Sequence, residues 1–165
     1  MYKFWHGPII GLNVSHVWAS YATCLFFDFG ELTPAGTYTN RKGEVQELNP
    51  RGRWTITSMD SWPGWSLRQN GRPITSWEEC RPHRLRALRL LIGRRLNTFA
   101  IDQHSKSTRL TFSLGLELET RTDLPGRRRV PHWLVRGPMQ GDHYWPRITL
   151  GANPSFPTLA PFGTT

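Results

Sequence analysis

The chain has 165 residues, enough for one domain with a sizeable core. Its apolar content of 38%, with eight tryptophans and eight phenylalanines, argues against a disordered chain. The net charge of +9 is concentrated in two places: residues 81–95 contribute +6 and residues 121–136 contribute +4, which leaves −1 for the remainder.

The N-terminal stretch carries one lysine and is soon broken by Asn13, Ser15 and His16, so it makes a poor secretory signal. The longest uncharged apolar run in the first half covers only residues 24–27, far too short to span a bilayer. The expectation is a soluble, cytoplasmic protein without membrane contact. Cys24 and Cys80 permit at most one disulfide and read as reduced thiols, Cys24 within a buried strand.

Residues 14–17 and 24–29 predict a β-hairpin, with Leu25, Phe27 and Phe29 at the period of two that buries one face. Residues 33–53 are polar and rich in glycine and proline, with turn candidates at Asn40-Arg41-Lys42-Gly43 and Asn49-Pro50-Arg51-Gly52. Residues 53–57 and 65–67 predict paired strands joined through a loop that contains Trp62, and Asn70-Gly71 marks the next turn. Ser76 and Glu79 have the spacing of a capping box. Pro82 interrupts, so a short turn and then a helix over residues 82–92 follow, with Leu85, Leu88, Leu91 and Ile92 on one arc, Arg86 opposite it and Arg89 at its edge. Gly93 suits the helix end and Arg94-Arg95 suit its negative dipole. Further strands are predicted at residues 96–101, 109–114, 116–120, 131–136 and 144–150. Residues 151–165 lack charge and periodicity and read as an extended or disordered tail, or as a docking peptide.

Two stretches share one design. Leu25-Phe26-Phe27-Asp28-Phe29-Gly30-Glu31-Leu32 and Leu110-Thr111-Phe112-Ser113-Leu114-Gly115-Leu116-Glu117-Leu118 each alternate large apolar residues, then reach a glycine and a further leucine. Ile9-Ile10-Gly11 and Leu91-Ile92-Gly93 precede them, and Trp65-Ser66-Leu67 and Trp133-Leu134-Val135 follow. The fold class expected is mainly β (α+β): two similar antiparallel hairpin or meander halves, about 9–75 and 91–150, joined by one amphipathic helix. Residues 1–150 then form a single globular domain.

Chemistry is sparse. Cys80 and His83 make half of a zinc site, and His104, His132 and His143 are scattered, so neither metal nor cofactor is expected. Neither cysteine sits on a strained elbow or a glycine-rich helix start. Glu117 and Glu119 read as the solvent face of a half-buried strand, and Asp142-His143 lies in a glycine-flanked turn. No phosphate-loop, dinucleotide or metalloprotease pattern is present, so the chain is read as no enzyme.

The two arginine clusters suit phosphates, with Trp62, Trp65, Trp77 and Trp133 as candidate stacking surfaces, which leaves nucleic-acid binding as the alternative. Arginine and tryptophan also dominate binding hot spots, and cationic loops speed encounter with acidic partners. The contacts expected with a protein partner are Arg86, Arg89, Arg127, Arg128 and Arg129, with Trp62 as aromatic anchor.

The patterned segments 25–32, 65–67, 85–93, 110–118 and 133–135 resemble a bacterial group of small, duplicated, β-rich proteins that includes toxin-neutralising immunity proteins. The resemblance implies a non-enzymatic protein that binds a cognate toxin. The basic charge departs from the acidic character of nuclease-neutralising immunity proteins and implies a partner with an acidic surface.

Overall fold

Leu25, Phe27 and Phe29 are all fully buried, so the alternation of this segment sets the inner face of a sheet as expected. The computed structural model describes residues 2–5, 7–19, 24–58, 64–102, 107–121, 133–137 and 147–150. In chain order the elements are β1 (Tyr2–Trp5), β2 (Val14–Ala19), β3 (Leu25–Thr33), β4 (Thr37–Thr39), β5 (Val45–Glu47), β6 (Arg51–Ser58), β7 (Gly64–Gln69) and β8 (Arg72–Ser76). Helix α1 (Arg81–Leu88) follows, then a 3-10 turn (Arg89–Leu91), β9 (Leu96–Asp102), β10 (Thr108–Phe112), β11 (Leu116–Arg121), β12 (Trp133–Arg136) and β13 (Arg147–Leu150). The protein is mainly β, with antiparallel strands and one short helix.

The strands form a six-stranded sheet ordered β1-β9-β10-β11-β7-β8, a five-stranded sheet ordered β13-β12-β6-β3-β2, and the separate hairpin β4-β5. Each large sheet is built on a meander, β9-β10-β11 in one and β2-β3-β6 in the other. Each meander is extended by a hairpin from elsewhere in the chain. The β7–β8 hairpin adds to β11, with Leu67 opposite Leu118. The β12–β13 hairpin adds to β6, with Val135 opposite Ile56. Strands β6 and β7 therefore do not pair, contrary to the sequence expectation. Local patterning shows that both are strands but carries no information on which neighbour each finds.

The segments that lead into the two meanders cross each other. The amide of Leu96 donates to the carbonyl of Leu12 at 2.9 Å and that of Gly11 to Leu96 at 2.8 Å, while Val14 and Gly93–Arg94 exchange bonds of 2.9 and 2.7 Å. Between the sheets, the Phe27 ring lies 6.2 Å from Phe112 and 6.3 Å from Trp133, and Phe99 meets Trp133 edge-on at 5.6 Å. Trp65 and Trp133 are both core residues, which removes them as stacking surfaces for bases.

The helix is shorter than its periodicity suggested. Leu88 and Leu91 are buried, but Ile92 turns outward. Ser76 belongs to β8 and its carbonyl accepts from the amide of Glu79, so the segment makes the short turn expected between strand and helix. The N-cap is Cys80, without a side-chain bond, and Pro82 lies in the first turn, where its missing N–H is harmless. Gly93, at a φ of +78°, supplies the left-handed step that ends the segment.

The two meanders differ in one connection. Strands β10 and β11 are joined by Ser113–Gly115 alone, whereas β3 and β6 are joined through the β4–β5 hairpin. The hairpin turn falls at Asn40-Arg41-Lys42-Gly43 as expected; the second turn candidate does not form as written, because Arg51 and Gly52 already belong to β6. Asn40 organises the hairpin turn, its side-chain oxygen accepting from the amides of Lys42 and Glu44.

Candidate functional site

Helix α1 and its 3-10 turn present the most strongly charged surface among the described residues. Several of its arginines are held by the protein itself. Arg84 Nη1 donates to the Trp77 carbonyl at 3.1 Å, Arg94 Nε to the Leu90 carbonyl at 3.3 Å, and Arg95 Nε to Asn97 Oδ1 at 3.4 Å. Arg81 is likewise engaged. Arg86 and Arg89 are exposed, and among the described residues no hydrogen bond or ion pair engages either. Leu90 and Ile92 stand beside them, 46% and 40% exposed. This pairing of unclaimed guanidinium groups with solvent-facing aliphatics has the mixed chemistry of an interface. The other predicted contacts, Trp62, Arg127, Arg128 and Arg129, lie outside the described residues, as do Asp142 and His143.

A second surface went unnoticed in the sequence. Strands β4 and β5 pair only with each other, and all six of their residues are exposed. Tyr38 and Val45 lie on this arm at 46% and 70% exposure, with Leu32 and Leu48 also exposed at its base. The Tyr38 hydroxyl donates to Gln46 Oε1 across the arm at 2.7 Å. A two-stranded hairpin is marginally stable by itself, and holding large apolar side chains in water gains nothing for the fold. The polar, glycine-rich composition of residues 33–53 suggested loops and hid the strands.

The outer face of the five-stranded sheet carries a buried acid. Asp28 is fully buried; its Oδ1 accepts from the Thr55 hydroxyl at 2.6 Å and its Oδ2 lies 3.4 Å from His16 Nδ1. In the adjoining row, Trp18 stacks on Phe26 at 3.8 Å, with the Arg51 guanidinium 5.2 Å over the indole. The signal was an acid inside the apolar run of β3. Such a dyad can orient an imidazole. The neighbouring hydroxyls are otherwise occupied: Thr55 donates to the acid and Ser15 to the Gly30 carbonyl.

Glu119 departs from its expected solvent exposure. It is 6% exposed and engaged, while its neighbour Glu117 lies 3.7 Å from Arg109 Nε. Cys24 is half-buried and Cys80 exposed, and neither is in a disulfide. Among the described residues no group of three histidines, cysteines or carboxylates is placed to hold a metal. No helix among them is long and apolar enough to cross a membrane.

The interior holds a third feature. The indole nitrogens of Trp65 and Trp133 and the hydroxyls of Thr75, Thr108 and Thr120 are buried, with no hydrogen-bond partner among the described residues. A buried polar group left unpaired costs about 1–3 kcal/mol.

Neither protein-family models, nor curated proteins, nor solved structures match this chain.

Proposed function

We propose that this chain is a non-enzymatic, stoichiometric protein-binding module. The observation that carries the reading is the β4–β5 arm. The second meander closes the equivalent connection with Ser113–Gly115, so the sandwich does not require the arm, yet the arm keeps Tyr38, Val45, Leu32 and Leu48 in solvent. Exposed apolar residues on a hairpin presented by a packed core suit insertion into a partner's groove. The cationic surface at Arg86 and Arg89 adds long-range attraction toward an acidic partner. Neutralisation of a bacterial toxin is the form of this activity that the resemblance to immunity proteins supports.

The test is affinity capture with the full chain followed by a shortened variant in which residues 36–48 are replaced by a three-residue link. A partner retained at fixed stoichiometry by the full chain and lost by the shortened one is the expected result. Capture that survives the deletion, or retention of nucleic acid that disappears steeply with salt, overturns it in favour of another surface or of a nucleic-acid binder.

A further inference from the structure

The β4–β5 arm has two unpaired edges, and its register fixes which backbone groups they carry. The amide of Asn40 donates to the Glu44 carbonyl and that of Leu48 to the Gly36 carbonyl, both at 2.9 Å. Between these bonds, Thr37 lies opposite Glu47, Tyr38 opposite Gln46 and Thr39 opposite Val45. Bonded and non-bonded pairs alternate along an antiparallel ladder. The N–H and C=O groups of Thr37 and Thr39 therefore point away from β5, and those of Val45 and Glu47 away from β4. Among the described residues no hydrogen bond engages these outward groups. The two edges differ in chemistry. Strand β4 offers Thr37, Tyr38 and Thr39, with neither charge nor proline, whereas β5 carries Glu47 and follows Glu44. Natural sheet edges are commonly blunted by such residues, as Pro73 blunts β8 at the edge of the six-stranded sheet. Strand β4 has no such protection.

We propose that β4 pairs antiparallel with β4 of a second copy of this chain, about a two-fold axis between the two Tyr38 residues. Thr37 of each copy then faces Thr39 of the other, and their outward groups exchange four main-chain bonds. The two Tyr38 residues fall at the non-bonded position, where side chains approach closest, and threonine and aromatic pairs are both favourable across strands. The arms merge into one four-stranded sheet ordered β5-β4-β4-β5, in place of two-stranded hairpins that are marginal alone. Charge selects a second copy as the occupant. Arg41 and Lys42 balance Glu44 and Glu47, so residues 37–48 are neutral although the whole chain carries +9. The two-fold also keeps the basic tips apart, each directed toward the end of the other arm where Glu47 stands. Pairing β5 with β5 would instead set Val45 against Glu47. A contact of three residues a side is well below a standard interface, so the dimer is weak, with a Kd on the order of 0.1 mM. It uses the edge of the arm, whereas the partner-binding reading uses its apolar side chains, so either can fail without the other.

The experiment is sedimentation equilibrium of the full chain from about 10 µM to about 1 mM, with site-resolved amide exchange at both ends of that range. The expected result is a monomer–dimer equilibrium in which the Thr37 and Thr39 amides gain protection with concentration and those of Val45 and Glu47 do not. Thr39→Pro removes an outward N–H that the hairpin itself does not use, and so deletes two of the four bonds; it should weaken the dimer at least about tenfold. Thr39→Lys, a charge on the same edge, should act in the same direction and carries the comparison if the proline variant fails to fold. A chain that stays monomeric throughout overturns the proposal. So does a dimer unaffected by either variant, or one that protects Val45 and Glu47 instead. Partner capture is read separately: capture lost when residues 36–48 are replaced but kept by Thr39→Pro supports the partner-binding reading whatever the sedimentation shows.

Discussion

The Thr55 hydroxyl donates at 2.6 Å to the Asp28 carboxylate, and neither residue lies in the interlayer core: both face outward from the five-stranded sheet yet are buried. An acid in this position is tolerable only while its oxygens are satisfied. Thr55→Val removes the donor and keeps the shape. It should lower stability by about 1–3 kcal/mol, measured by urea unfolding, while Asp28→Asn with Thr55 intact should cost less than Asp28→Ala. Equal stability of Thr55→Val and the parent would mean that the bond contributes nothing.

Gly52 lies where the β3–β6 pairing shifts register, between Phe29 and Leu32. A Cβ at this position would lie 2.7 Å from both the amide nitrogen and the carbonyl oxygen of Phe29, atoms that cannot rotate away. Gly52→Ala should destabilise the protein by about 1–3 kcal/mol, the usual range for overpacking. An unchanged thermal midpoint would show that the two strands have room to separate.

Arg86 and Arg89 allow function to be separated from folding. Both are exposed and unclaimed among the described residues, so charge reversal to glutamate should move stability by no more than about 0.5 kcal/mol. The association rate with an acidic partner should fall, and its dependence on ionic strength should flatten. Stopped-flow or surface-based kinetics at two salt concentrations decides this; an unchanged rate removes the helix from the interface.

What the sequence revealed and what it hid follow from the range of each interaction. The strands β3, β6, β9, β10 and β11 were legible as strands, and the inner face of β3 was legible because alternation is local: Leu25, Phe27 and Phe29 sit where a period of two puts them. The left-handed step at Gly93 was legible for the same reason. The pairing of β7 with β11 was not, because Leu67 meets Leu118 through a contact that no neighbouring residue encodes. The arm was missed because Thr37, Tyr38 and Thr39 form a strand with no buried face, which leaves no apolar stripe to detect. The burial of Glu119, read as a solvent-facing residue, depends likewise on neighbours distant in sequence.

The exchanged hairpins lead to a last prediction. Each meander lacks its outer two strands until the other half of the chain supplies them, β7–β8 for one and β12–β13 for the other. The Leu12–Leu96 crossing further ties the two halves by backbone bonds. A chain divided between residues 79 and 80 would therefore yield one piece carrying β1–β8 and another carrying α1 and β9–β13, each with an incomplete sheet and an exposed apolar edge. Such edges drive pairing or aggregation. The two pieces mixed during refolding should form a one-to-one complex that recovers the near-ultraviolet signal of the buried tryptophans, while each alone should not. A piece that folds by itself as a stable monomer would show that the exchange is a detail of connection and that the hairpins are not needed across halves.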